Sequence, residues 1–162
     1  MPPSFRKSQI AFATLGAVLA VSALAYLATS TSGLLLLGSF GASTLLLFAL
    51  PEAPLSQPRS VVGGHLIASL IALGCLALFG PTWWAVGLAT GLAVGVMMAT
   101  RTVHPPAGSN AIIVFLAKPA WGLLLFSTVA GTLLLIAVAI VYHRATGRHK
   151  YPLYWRGAAA PG

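Results

Sequence analysis

The stretch VVGGHLIASLIALGCLALFGPTWWAVGLATGLAVGVMMAT, residues 61–100, carries no Asp, Glu, Lys or Arg; the nearest charges are Arg59 and Arg101. A helix rises 1.5 Å per residue, so about 20 apolar residues cover a hydrocarbon core roughly 30 Å thick. The stretch is interrupted once, at Gly80-Pro81-Thr82, and therefore reads as two membrane helices. The pattern continues on both sides. No charged residue lies between Lys7 and Glu52, between Arg101 and Lys118, or between Lys118 and Arg144, histidine aside. The chain is 58% hydrophobic and 6% charged, where a soluble domain carries about 25% charged residues. The fold class expected is an all-α, polytopic transmembrane helical bundle.

Six apolar segments follow, about 9–29, 33–50, 62–80, 82–100, 105–117 and 120–142, four long and two short. The breaks fall at Ser30-Thr31-Ser32-Gly33, Pro51-Glu52-Ala53-Pro54 through Arg59, Gly80-Pro81-Thr82, Arg101 through Pro106, and Lys118-Pro119. Residues 1–143 read as one transmembrane domain. Residues 144–162 read as a basic juxtamembrane tail, with Tyr151, Tyr154 and Trp155 at headgroup level. Arg6-Lys7, an apolar run and Ala23-Leu24-Ala25 also have the layout of a secretory signal. The repeat described next favours a first transmembrane helix instead.

Gly41-Ala42-Ser43-Thr44-Leu45-Leu46-Leu47-Phe48 aligns with Gly108-Ser109-Asn110-Ala111-Ile112-Ile113-Val114-Phe115, and two of the eight positions are identical. Each run lies in a short segment between two long ones. The plan is long, short, long, twice, with halves at about 9–80 and 82–142, as in repeat-built transporters. If all six segments cross and the termini are cytoplasmic, Lys118 is the only basic residue outside, which obeys the positive-inside rule. If the two short segments are re-entrant, dipping in and returning, only four helices span. The 13 residues of 105–117 suit that second layout. An extended arm before Pro105, buried in protein, would let the segment cross.

The balance of nine Lys/Arg against one acid, Glu52, would suggest nucleic acid in a soluble protein. Here the basic residues flank apolar runs, so the partner is the lipid bilayer, with no nucleic acid. A single Cys75 excludes an intrachain disulfide. With no Asp, one Glu and one Cys, there is no Ser-His-Asp triad, no carboxylate pair and no thiolate cluster for zinc. No enzyme activity, metal or cofactor is expected, and no nucleotide motif is present.

Arg101-Thr102-Val103-His104-Pro105-Pro106-Ala107-Gly108-Ser109-Asn110 is the stretch richest in chemistry. Ionisable residues at membrane depth are costly and are functional candidates. His104 and Pro105 each precede a proline and are pushed from helical geometry, while proline suits a helix's first turn. A helix starting at Pro105 leaves free N–H groups near Ala107, Gly108 and Ser109, which attract an anion. Ser39-Phe40-Gly41-Ala42-Ser43 offers a similar start. Two such starts meeting near the midplane would form a donor-rich site. The candidate substrate-binding residues are Ser39, Gly41, Ala42, Ser43, His65, Arg101, His104, Gly108, Ser109 and Asn110.

Each also has a structural reading. Arg101 is then a loop residue, His104 a cap, His65 the interface end of Gly63-Gly64-His65, and Ser109 and Asn110 caps or interhelical bonds. Glu52 is expected to pair with Arg59, and His143 and His149 to lie in the tail. Gly87, Gly91, Gly95 and Ala99 form a small-residue face, read as packing within the fold or between protomers.

Gly38-Ser39-Phe40-Gly41-Ala42-Ser43, Pro51-Glu52-Ala53-Pro54-Leu55-Ser56-Gln57-Pro58-Arg59, Gly63-Gly64-His65 and His104-Pro105-Pro106-Ala107-Gly108, in that order, resemble the HPP family of small integral membrane proteins. The resemblance covers about residues 10–142. It implies four to five spanning helices and passage of a small anion such as nitrite. The expected function is accordingly a transporter or channel for a small inorganic anion, in which a histidine is suited to carry a coupled proton. The alternative is a non-transporting scaffold or partner subunit. Six short helices hardly enclose a broad pore, so a homo-oligomer is expected, in a bacterial inner membrane with cytoplasmic termini.

Overall fold

The computed structural model describes residues 4–29 and 38–155, to which the structural statements below refer. Its helices are α1 (Lys7–Thr29), α2 (Gly38–Ala49), α3 (Pro58–Phe79), α4 (Trp83–Ala99), α5 (Pro105–Ala117) and α6 (Trp121–Thr146), with a 3-10 turn at Pro54–Ser56. These are the six apolar segments, shifted by a few residues at their ends. The Ser30-Thr31-Ser32-Gly33 break and the opening of the second segment lie outside the described residues.

The sequence punctuation accounts for the helix ends. Pro58 and Pro105 occupy first turns, where a missing N–H leaves no partner unsatisfied. Gly80 (φ 68°) and Gly147 (φ 62°) close α3 and α6. Lys118 closes α5 in the left-handed region (φ 45°), immediately before Pro119.

Four bonds fix the helix directions. The Tyr142 hydroxyl donates to the Phe12 carbonyl at 2.6 Å, placing the end of α6 beside the start of α1. His143 Nε2 donates to the Leu47 carbonyl at 2.8 Å, bringing in the end of α2. Arg59 Nη2 donates to the Thr100 carbonyl at 2.8 Å, joining the start of α3 to the end of α4. His104 Nδ1 donates to the Leu55 carbonyl at 2.8 Å, bringing the start of α5 to the same end. The six helices therefore alternate in direction. One end, the basic end, holds Arg6, Lys7, Arg59, Arg101, Arg144, Arg148 and Lys150; Lys118 lies at the far end.

The dipping layout is not the path taken. Both α2 and α5 carry the chain onward from one end of the bundle to the other. By length and composition, α1, α3 and α6 are long and apolar enough to cross a membrane, while α2, α4 and α5 are shorter. At 12 and 13 residues, α2 and α5 reach only about 20 Å each. The extended arm ahead of α5 is buried at Thr102 and His104, so its backbone is shielded from lipid as a non-helical segment requires.

The central helix is α3, packed on α4, α5 and α6, while α1 lies against α2 and α6. Close contacts depend on glycine. A Cβ at Gly131 would run into the Phe40 ring, and one at Gly16 into the Phe48 ring. The outward surface is apolar, and Tyr26, Trp83, Trp84 and Trp121 stand exposed toward the far end, an aromatic belt of the kind found at a membrane interface.

One expectation narrows here and two need correction. The face Gly87, Gly91, Gly95 and Ala99 is exposed, whereas Ala85, Ala89, Ala93 and Met97 are the buried side of α4. The stripe therefore does no packing inside the protomer. His143 is not a tail residue: α6 runs on to Thr146 and buries it. Tyr151 does not float at the headgroups. It is buried, and its hydroxyl donates to the Ser56 carbonyl at 2.9 Å. Nearby, Gln57 Oε1 accepts from the Leu153 N–H at 2.9 Å. The stretch after α6 is thus tied to the Pro51–Pro58 turn.

Candidate functional site

The site begins where α4 stops. The N–H groups of Arg101 and Thr102 return to the carbonyls of Met98 (3.2 Å) and Met97 (2.9 Å), a Schellman closure with Arg101 in the left-handed position at φ 55°. Glycine is the usual occupant, and a side chain there costs about 1 kcal/mol. The arm then lies on Gly63 and Gly64 of α3. A Cβ at Gly63 would fall 2.9 Å from Thr102 Cγ2, and one at Gly64 would fall 2.9 Å from His104 Cβ and 3.1 Å from the Thr102 carbonyl oxygen. Two of the sequence motifs, Gly-Gly-His and His-Pro-Pro, thus form one packed unit.

His104 is fully buried at the N-terminus of α5. Its Nδ1 donates to Leu55, so a neutral ring offers Nε2 as an acceptor to the Ser43 hydroxyl at 2.8 Å. Ser43 also lies 3.0 Å from the Ser39 carbonyl, giving its single hydrogen two acceptors. His65 sits beside His104, ring centroids 5.0 Å apart, with Phe40 on another side at 5.2 Å. His65 Nδ1 donates to the Val61 carbonyl at 2.9 Å, which leaves Nε2 as a bare lone pair. One turn further along α3, Ser69 receives the amide of Asn110 and meets Thr128 Oγ1 at 3.1 Å.

Several buried polar atoms here have no hydrogen-bond partner among the described residues: Ser39 Oγ, His65 Nε2 and Asn110 Oδ1. With Nδ1 of His65 and the amide nitrogen of Asn110 committed as donors, the two ring and amide atoms left over are acceptors. Ser39 can serve either way.

A vestibule of about 390 Å³ opens at the basic end, lined by Leu55, Arg59, Met98, Arg101, Val103 and Tyr154 among others. It carries two guanidinium groups, and Leu55 both lines it and holds His104 through its carbonyl.

The structure gathers Ser39, Ser43, His65, His104 and Asn110 into this buried polar cluster and sets Arg101 on the vestibule. Gly41, Ala42 and Ser109 are exposed, and Gly108 is half-buried with open space beside it. Ser109 bonds back to its own helix, at the Pro106 carbonyl. The two polar helix starts do not meet. Helices α2 and α5 run antiparallel, so the start of α2 lies opposite Ile113, whose Cδ1 is 3.8 Å from a Cβ built on Gly38, while the start of α5 faces Ser43. Glu52 pairs with His149 at 3.2 Å instead of with Arg59. Sequence reasoning missed Ser69, Thr128 and the vestibule role of Arg59. Ser69 was accessible to it, being four residues from His65 and so on the same helix face. Among the described residues no group of three His, Cys, Asp or Glu is placed to hold a metal.

Comparison with known proteins gives one family and two curated relatives. The family model described as "HPP, transmembrane region" matches residues 2–152. A transmembrane protein of Dictyostelium discoideum is 37% identical over 128 residues, covering 74% of this chain and 41% of that protein. A second transmembrane protein of the same organism is 32% identical over 128 residues, covering 74% of this chain and 45% of its own length. The chain spans less than half the length of each. No solved structure matches.

Proposed function

We propose, from the premise that this chain belongs to the HPP transmembrane family, that it passes a small inorganic anion, nitrite foremost, through the buried polar cluster between α2, α3 and α5. The observation that carries this reading is the link from the arginine vestibule through the Leu55 peptide to the His104–Ser43–His65 cluster. Arg59 and Arg101 concentrate an anion at the mouth, and the one acid of the chain, Glu52, is outside the cluster, engaged by His149.

The free acceptors shape the mechanism. An anion alone would meet the lone pairs of His65 Nε2 and Asn110 Oδ1, and an unpaired charge in such a core is expensive. A proton alone on His65 would lack a counter-charge for the same reason. Together they are neutral. A proton on His65 turns Nε2 into a donor aimed at the anion; the same proton, when held on His104 instead, makes that ring's Nε2 a donor to Ser43 and frees the serine hydrogen for the Ser39 carbonyl. In this reading the anion and a proton enter as a pair.

The protein is no enzyme in this reading. The positive-inside rule puts the basic end, with the start of α1 and the end of α6, in the cytoplasm, and a bacterial inner membrane is the membrane we assign. The rival reading, a scaffold subunit, rests on the exposed small-residue stripe of α4. We assign that stripe to a homo-oligomer contact, with a complete pathway in each protomer.

Uptake of nitrite, nitrate, formate and chloride by proteoliposomes tests the proposal. Entry of at least one of them above empty liposomes, lost in His104→Ala, is the expected result. Rates equal to empty liposomes for all four would overturn it.

A further inference from the structure

A second cavity, about 420 Å³, lies between α1, α2, α6 and the residues that follow α6. It contains none of the polar-cluster residues described above. Its walls are apolar, with Ile10, Ala13, Ala17, Leu45 and Phe48 among them; Arg148 and His149 stand at its rim, and the buried His143 is part of its wall. The volume is within the range of about 300–1,000 Å³ typical of small-molecule sites.

Most polar groups around the cavity already have partners. The Tyr142 hydroxyl goes to the Phe12 carbonyl, that of Thr44 to the Gly41 carbonyl, and that of Thr146 to the Tyr142 carbonyl. His149 is held by Glu52. Two groups remain. The Arg148 guanidinium lies 3.6 Å over the centre of the Phe12 ring, a cation–π contact that fixes it at the rim and leaves its N–H edge available. His143 is 2% exposed, and its Nδ1 has no partner. Because His143 Nε2 donates to the Leu47 carbonyl, Nδ1 is an acceptor that calls for a donor.

A ligand that completes this site needs an apolar chain, a negative charge for Arg148 and a hydroxyl for His143. The surroundings favour the same chemistry. Arg6, Lys7, Arg144 and Lys150 share this end of the bundle with Glu52 as its one acid, and basic residues near a membrane surface draw anionic lipid. We infer that this cavity binds one anionic phospholipid with a hydroxylated headgroup, of the phosphatidylglycerol type. One acyl chain fills the apolar walls, the phosphate rests on Arg148, and a headgroup hydroxyl donates to His143 Nδ1. The inference stands apart from the anion pathway and does not depend on it.

Native mass spectrometry of the full chain, with thermal melting in matched lipid–detergent micelles, tests it. Three lipids separate the contributions: phosphatidylglycerol, phosphatidylmethanol (anionic, without the hydroxyl) and phosphatidylcholine (no net charge). The expected result is one retained phosphatidylglycerol per chain, held about tenfold better than phosphatidylcholine and severalfold better than phosphatidylmethanol, a tenfold ratio being 1.4 kcal/mol. Arg148→Gln, at the rim, should abolish the preference for both anionic lipids. His143→Gln should abolish only the preference for the hydroxyl, and Ala13→Trp should expel the acyl chain. Equal retention of all three lipids by the wild type, or an anionic preference unchanged in Arg148→Gln, would overturn the inference. If Ala13→Trp fails to fold, the wild-type and Arg148→Gln measurements still decide.

Discussion

Gly64 is where a missing methyl group sets the position of the His104 side chain. The arm that delivers His104 lies so close to α3 that a Cβ would sit 3.1 Å from the Thr102 carbonyl oxygen, a backbone atom that cannot swing aside. Gly64→Ala should therefore lower stability by about 1–3 kcal/mol, the usual range for overpacking, and displace His104. A lower melting temperature in micelles, with weaker anion uptake, is the check. Arg101 presents the opposite case. It occupies a left-handed position that suits glycine, so Arg101→Gly should leave stability unchanged or raise it by about 1 kcal/mol while slowing uptake by removing a vestibule charge. A variant both less stable and equally active would show that Arg101 is a structural residue. The sequence points to His104 and Arg101 because prolines and a lone charge beside an apolar run are local signals. It gives no such signal for His143, whose burial depends on Leu47 of a distant helix.

At the scale of the elements, the His-Pro-Pro run starts α5 where the sequence places it, since proline chemistry acts within one turn. How α5 meets its neighbours is not local. Ser69 of α3, Asn110 of α5 and Thr128 of α6 form one hydrogen-bonded chain across three helices. Ser69→Ala leaves the Asn110 amide without its acceptor and should cost about 1–3 kcal/mol, read as a fall in melting temperature. The segment after α6 was harder still to anticipate, because Tyr151 has an amphipathic side chain that suits a headgroup region as well as a buried pocket. Burial pushes its hydroxyl above the ordinary value of 10.0. A group whose folded-state pKa is raised gives stability that is complete below its unfolded pKa and lost above it. Docking of this segment should then hold up to about pH 10 and weaken as the pH rises further. Tyr151→Phe should lack that alkaline loss, with proteolysis of the segment as the readout.

For the whole molecule, the composition alone settles the class, because so few charges and so much apolar surface suit only a bilayer. The alternation of six helices follows from bonds between distant residues, and it places the basic residues at one end. The antiparallel arrangement of α2 and α5 keeps their polar starts apart. Gly41, Ala42 and Ser109 lie outside the buried cluster for this reason: the starts of α2 and α5 stand at opposite ends, and the polar side chains further along meet instead. In the oligomer we propose, Gly87, Gly91, Gly95 and Ala99, exposed on α4, supply the surface for close helix contact between copies. Gly91→Leu should convert that proposed oligomer to monomer on size analysis in mild detergent without unfolding the chain.

The most direct test of the account is the initial rate of nitrite uptake by proteoliposomes carrying wild type, His65→Gln, Ser43→Ala or Ser109→Ala. The buried-cluster account predicts that the first two variants fall by about tenfold or more, equivalent to 1.4 kcal/mol in the barrier, while Ser109→Ala keeps the wild-type rate. Uptake that falls in Ser109→Ala and survives in His65→Gln and Ser43→Ala would contradict it.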